Sequence, residues 1–270
     1  MTLKTQLFIL SAAVGLSTFG TAYGQLPPTR WQFGENDREN ATATAAVPEW
    51  QNPEIAHVGR ETPRAYFMSY HNRDLAAAND YTTSEHYISL NRPWQFKWLP
   101  DHRERPADFY KPEFDASGWD TLAVPATWEV NGYGDAIYTN QPYEFAPYKP
   151  TPPQLPAANE VGLYRTTFEA PLVLKDRDVY LHIGGAKSGV IVYLNGHKVG
   201  YSEDSKDAAE FKLNRYLREG TNVLALEIYR WSTGSYLECQ DFWRLSGIER
   251  GVYIYSQPKA RDRGESKIGR

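Results

Sequence analysis

The sequence predicts an all-β fold, an antiparallel β-sandwich of jelly-roll type. Three observations carry this. Short runs rich in Val, Ile, Leu and Tyr recur at close spacing through the second half of the chain. Turn residues punctuate them, most clearly Asn195-Gly196, because Asn-Gly between two apolar runs marks a two-residue hairpin. No long amphipathic helical pattern occurs in the 270 residues. Many short strands with turn punctuation close into sandwiches or barrels.

The elements follow in order. Residues 1–24 read as a signal peptide: Lys4 precedes an apolar stretch around Leu7-Phe8-Ile9-Leu10, and Ala22-Tyr23-Gly24 places small residues before Gln25. The stretch is short for a membrane-spanning helix. It predicts export to the periplasm or the extracellular space, with no membrane association once the signal is removed. Residues 25–47 are polar, contain Pro27-Pro28 and read as a flexible lead-in. One short helix is expected around Asp74-Leu75-Ala76-Ala77-Ala78, closed by Asn79. Trp94-Gln95-Phe96-Lys97-Trp98-Leu99 alternates with period two, which predicts a strand that turns Trp94, Phe96 and Trp98 inward.

Residues 100–156 form a long turn-rich region with many prolines and the aromatics Trp119, Trp128, Tyr133, Tyr138, Tyr143, Phe145 and Tyr148. Such a stretch in a compact domain is often functional. Strands are expected at 161–168, 179–183, 190–194, 198–201, 211–213, 222–229 and 252–255. Leu224, Leu226 and Ile228 share one face of the 222–229 strand. The domain predicted from these elements spans 48–259. Residues 260–270 are dense in charge and read as a frayed tail.

Composition narrows the function. The net charge of −4 argues against a nucleic-acid partner, which usually meets a basic surface. The single cysteine, Cys239, excludes an internal disulfide framework and a Cys-rich zinc site. The six histidines include no i, i+4 pair for a helical metal site. Gly184-Gly185-Ala186-Lys187-Ser188-Gly189 only loosely resembles a phosphate loop, since its Lys-Ser lies inside the glycine bracket, and it reads as a tight β-turn. The 8 Trp, 19 Tyr and 11 Phe suit stacking on sugars, but equally suit the core of a β protein.

Two stretches look unlike framework. One is Gly132-Tyr133-Gly134-Asp135-Ala136-Ile137-Tyr138-Thr139-Asn140; the other runs from Tyr236 through Glu238, Cys239 and Asp241 to Ile248. Both set polar groups of fixed donor and acceptor geometry beside bulky aromatics. That suits a sugar-hydroxyl site, and it equally suits a buried polar network tying two loops together. Glu238 and Asp241 do not read as a glycosidase pair, because residues three apart on one loop seldom face each other across a substrate.

Several motifs, in order, resemble the N-terminal sugar-binding region of exported bacterial β-galactosidases of glycoside hydrolase family 2. They are Trp50-Gln51-Asn52-Pro53-Glu54, Phe114-Asp115 with Gly118-Trp119-Asp120, Val124-Pro125-Ala126-Thr127-Trp128-Glu129, Ile137-Tyr138-Thr139-Asn140, Tyr193-Leu194-Asn195-Gly196, and Arg230-Trp231-Ser232 through Ile248. The resemblance covers about Pro48 to Lys259. It implies a galactose-binding-like jelly roll and two substrate-binding residues. Asn140 resembles the asparagine that reaches the galactose subsite. Asp241 resembles the aspartate that contacts the galactose hydroxyls and helps ligate a sodium ion, as a hard cation prefers. Trp243 and Arg244 would brace that loop, and Cys239 would be a neutral space-filler.

The same resemblance places the acid/base glutamate, the nucleophilic glutamate and the magnesium ligands on a barrel that these residues do not include. The expectation is therefore a sugar-binding domain, cut off by truncation or a shifted reading frame, that has no catalytic residues of its own and is inactive alone. The expected partners are galactose or β-galactosides. The alternatives are a free-standing carbohydrate-binding module or a fragment that docks onto separately encoded catalytic domains.

Overall fold

The computed structural model describes residues 47–140, 143–146, 149–174 and 176–259, without the side chains of Leu172 and Phe242. The signal peptide, nearly all of the lead-in and the tail after Lys259 lie outside the described residues.

In chain order the strands begin with β1 (His57–Val58), β2 (Tyr87–Ser89), β3 (Pro93–Leu99), β4 (Asp120–Ala123), β5 (Ala126–Thr127) and β6 (Ile137–Thr139). Then come β7 (Val161–Ala170), β8 (Arg177–Ile183), β9 (Ala186–Lys187), β10 (Gly189–Leu194), β11 (His197–Ser202) and β12 (Ala209–Lys212). The last are β13 (Gly220–Tyr229), β14 (Phe242–Arg244), β15 (Gly247–Ile248) and β16 (Val252–Pro258). Two short helices, α1 (Arg73–Ala78) and α2 (Ser235–Glu238), interrupt them.

Seven strands form one sheet in the order β1-β11-β10-β13-β7-β3-β4, and four form the opposing sheet, β12-β8-β16-β2. Every pairing among them is antiparallel. The result is the predicted antiparallel β-sandwich. Its main core lies between the sheets, where Phe96, Tyr164, Leu224, Leu226 and Ile228 meet Val179, Leu181, Ile183, Val252 and Ile254.

The alternation of β3 holds: Trp94 and Phe96 are buried, Gln95 and Lys97 exposed, and Trp98 half-buried. The Asn195-Gly196 hairpin forms with both φ angles positive, 51° and 83°, which is what a type I′ turn demands. Helix α1 ends at Asn79, in the left-handed conformation, as expected; Asn72 caps its start, its side chain accepting from the Leu75 amide.

Two expectations are corrected. The 184–189 segment is not a simple β-turn. Ala186 and Lys187 pair with β15, and Lys187 is only 2% exposed. This lysine thus sits inside the fold, and burial lowers its pKa. Residues 100–156 are not uniformly turns. The strand β4 extends the large sheet, while Phe109, Phe114 and Trp119 join Trp50, Leu163, Tyr201 and Tyr229 in a second apolar cluster. Residues Leu163, Tyr201 and Tyr229 of the large sheet alternate with its main-core residues, so both faces of that sheet are covered. Coverage on both faces explains the long buried runs of β7 and β13.

Candidate functional site

The short strands β6 and β14 form an antiparallel ribbon in which Thr139 lies opposite Phe242, Tyr138 opposite Trp243 and Ile137 opposite Arg244. Asn140 directly follows β6 and Asp241 directly precedes β14. The register therefore sets these two residues, far apart in sequence, side by side at one end of the ribbon. Both are exposed.

Asp241 has φ of 37°, the left-handed region that Asp tolerates better than most residues. This turn redirects the chain from α2 into β14. The Tyr138 hydroxyl donates to Asp241 Oδ1 at 3.0 Å. The carboxylate in turn holds the Tyr138 phenol above its usual pKa range. Trp243 turns outward, 53% exposed, with its ring centroid 5.6 Å from that of Tyr138. The ribbon's end thus carries an amide, a carboxylate, a phenol and an indole face, a set that can hydrogen-bond sugar hydroxyls and cover a C–H face.

The base of the ribbon is tied down. Arg244 is 1% exposed; its Nε donates to both oxygens of Glu144, at 3.1 and 3.0 Å, and its Nη2 donates to the Thr139 carbonyl at 2.9 Å. One guanidinium thereby links β14, β6 and the turn after it. Arg230, also buried, pairs with Glu160 at 2.6 Å and donates to the Asp135 carbonyl at 2.6 Å. The Ser246 amide donates to Glu129 Oε2 at 2.9 Å. Burial raises the Glu129 carboxyl pKa, against the opposing pull of the Ser246 amide and Arg230. The Tyr143 hydroxyl reaches the Tyr236 carbonyl at 2.9 Å.

Of the four residues singled out from sequence, the structure groups all on one ribbon. Asn140 and Asp241 share its open end, Arg244 fills its base, and Trp243 faces solvent rather than packing into the loop. Cys239 is buried, and burial pushes its thiol up to about 11, a neutral group at physiological pH. Glu238 points elsewhere: its carboxylate accepts from the Ser205 amide at 2.8 Å and from the Ser205 hydroxyl. Sequence reasoning missed Tyr138 as a partner of Asp241 and missed Glu129, Glu144 and Arg230 as anchors. Tyr138 stood beside Asn140 in a quoted motif. The anchors act across 70 to 117 residues, and nothing local announces such bonds.

The donor set bears on a cation. Among the described residues no group of three His, Cys, Asp or Glu side chains is placed to hold a metal ion. Asp241 nevertheless offers exposed carboxylate oxygen, the donor a hard monovalent ion prefers.

Comparisons with known proteins show what the chain is similar to. Residues 87–258 match the family described as glycosyl hydrolases family 2, sugar binding domain. The chain is 43% identical over 215 residues to a beta-galactosidase of Priestia megaterium (strain DSM 319 / IMG 1521), a match covering 78% of this chain and 21% of that protein. It is 39% identical over 210 residues to a beta-galactosidase of Psychromonas ingrahamii (strain DSM 17664 / CCUG 51855 / 37), covering 78% and 20%. Among solved structures, a Bacteroides uniformis beta-glucuronidase aligns with a TM-score of 0.48 at 22% identity, covering 64% of this chain and 18% of that one. The chain spans about a fifth of the length of the curated relatives it matches.

Proposed function

Because the chain belongs to the family of glycoside hydrolase family 2 sugar-binding domains, we propose that it is the galactose-recognition part of a β-galactosidase and does not hydrolyse glycosides as an isolated 270-residue polypeptide. The observation that supports this most is the pairing of Asn140 with Asp241 at the open end of the β6–β14 ribbon. Both present hydrogen-bonding groups to solvent from a base that Arg244 and Glu144 make rigid.

Retaining hydrolysis of a β-galactoside needs an acid to protonate the leaving oxygen and a nucleophile on the other side of the bond, with carboxyls about 5–5.5 Å apart. Asp241 accepts a hydrogen bond from Tyr138, and Glu144 binds Arg244 with both oxygens. Neither is arranged as a proton donor facing a second carboxylate. Asn140 and Asp241 would orient the galactose ring by its hydroxyls. Such binding holds ground and transition states alike and lowers no barrier by itself. The acid and the nucleophile would come from the barrel that the family resemblance implies, along with any magnesium ligands. Asp241 would also give one oxygen to a sodium ion, which would neutralise its charge beside the sugar. Residues 1–24 would direct export; mass spectrometry of protein recovered from the periplasm would then show Gln25 as the first residue, and an intact Met1 there would refute it.

The deciding experiment is hydrolysis of a chromogenic β-galactoside by the purified chain, with Na⁺ and Mg²⁺ present. We expect no turnover, and a galactose titration followed by NMR giving millimolar or weaker affinity, about −4 kcal/mol or less favourable. Turnover that vanishes in Asp241→Ala would show that this chain carries its own acid and nucleophile, and would sink the proposal.

A further inference from the structure

The four-stranded sheet has an unusual second face. Along β8 and β16, Val179, Leu181, Ile183, Val252 and Ile254 point into the main core. Their alternates Tyr180, His182, Tyr253 and Tyr255 point the other way, together with Tyr87 of β2. The register places Tyr253 opposite His182, and Tyr255 opposite both Tyr180 and Tyr87. The His182 and Tyr253 rings stack with centroids 4.3 Å apart, and Tyr87 lies 5.1 Å from Tyr253. The outward face of an antiparallel sheet is ordinarily polar; this one is a platform of rings.

The chain between β1 and β2 passes over that platform without filling the space. A half-open cleft of about 400 Å³ remains, within the roughly 300–1,000 Å³ range of small-molecule sites. Tyr66 and Tyr81 stand at its mouth, 62% and 48% exposed. Its wall carries a polar cluster. Glu210, 7% exposed, is hydrogen-bonded to His182 Nδ1 at 3.1 Å, accepts from the Tyr255 hydroxyl at 2.8 Å, and pairs with Arg64 at 3.0 Å. The Tyr70 hydroxyl is buried in the lining with no hydrogen-bond partner among the described residues, a costly state that a ligand hydroxyl would relieve.

We propose that this cleft is a second carbohydrate site, sharing no residue with the Asn140–Asp241 ribbon, and that it takes a glycan segment of one or two pyranose rings. The accessible rings of the cleft, Tyr66, Tyr81, Tyr87 and Tyr253, match the C–H faces of such a sugar. Glu210, Arg64 and the Tyr70 hydroxyl supply acceptors and donors for its hydroxyl groups. Arg64 and Glu210 pair with each other and Arg250 adds a further positive charge to the lining, so the wall disfavours a cationic ligand. An apolar ligand would leave the Tyr70 hydroxyl and the Glu210 cluster facing hydrocarbon.

The test is affinity electrophoresis of the chain in native gels containing soluble β-1,4-galactan or xyloglucan. We expect retardation in at least one polymer. Tyr66→Ala and Tyr81→Ala should each weaken it about tenfold through loss of a stacking ring. Both side chains sit at the mouth, so thermal unfolding of these variants should match the parent. Asp241→Ala should be retarded as strongly as the parent. Absence of retardation in both polymers overturns the proposal. So does retardation that both tyrosine variants retain, and retardation lost in Asp241→Ala would assign the binding to the ribbon instead. The proposal on galactose recognition is judged separately, by the galactose titration and by hydrolysis.

Discussion

At the scale of single residues, the ribbon separates side chains that hold the site from side chains that use it. Arg244 is buried and its carboxylate partner is nearly so, with Glu144 side-chain exposure of 8%. Removing one member of such a pair strands the other. Arg244→Ala should therefore cost about 3–5 kcal/mol in urea unfolding, and a change below about 1 kcal/mol would show that Glu144 finds another partner or water. Asp241→Asn is the opposite case. Asn accepts the same left-handed backbone, so stability should stay within about 0.5 kcal/mol of the parent. The galactose-dependent NMR shifts should disappear. Unchanged shifts would remove Asp241 from the sugar contact.

Glu129 gives a pH prediction. Its folded pKa is raised, chiefly by burial. A raised carboxyl favours the folded state at low pH and loses that contribution as pH rises through the folded value. Glu129→Gln keeps an acceptor for the Ser246 amide without the buried charge, and Arg230 retains Glu160. At pH 7 the variant should be as stable as the parent or more so, by about 1 kcal/mol. That advantage should shrink as pH falls through the raised pKa toward the ordinary glutamate range. Urea midpoints between pH 4 and 8 measure it; an advantage that grows on acidification would reverse the assignment of burial as the dominant cause.

At the scale of elements, close packing beside the ribbon is set by glycine. Gly247 has φ of 108°, and a Cβ there would stand 2.9 Å from the Ala126 carbonyl oxygen and from the Trp128 ring. Gly247→Ala should destabilise by about 2–3 kcal/mol and broaden the NMR signals of Asn140 and Asp241, because β15 leads directly out of the ribbon. A variant with parental stability would mean that β15 can shift without cost. This strand also marks where sequence reading stopped. The alternation of Trp94, Phe96 and Trp98, and that of Leu224, Leu226 and Ile228, revealed strands because one face of each is buried in the main core. Two- and three-residue strands such as β5, β6 and β15 are too short to show any period, and their pairing is decided by partners remote in sequence. Asn140 and Asp241 were readable only through motifs, since nothing in their local composition separated a sugar site from a buried polar network. The tyrosine platform is the outward half of the alternation in β8 and β16, a pattern that sequence reasoning did not use.

At the scale of the whole molecule, stability is graded from the middle of the large sheet outward. Strand β13 lies between β10 and β7, paired along its length with β7 and over residues 224–229 with β10, and is buried on both faces. Its amides should exchange hydrogen only through global unfolding. Among the described residues the β6–β14 ribbon has no third strand, and its amides should exchange at lower free energy. Hydrogen exchange read by mass spectrometry would order the peptides, with those covering 222–229 slowest and those covering 137–139 and 242–244 faster. Equal protection would show that Arg244 and Arg230 weld the ribbon to the sandwich as one cooperative unit.

The strand order of the smaller sheet has a consequence for how the chain is made. Strand β16 comes last in chain order among the described strands, yet it occupies an interior position between β8 and β2. Until residues 252–258 leave the ribosome, β2 has no neighbour in its sheet and the inward side chains of β8 lack much of their cover. The nascent sheet must therefore wait, with apolar surface open to water, for β16. That delay opens a window in which a chaperone can hold the chain unfolded.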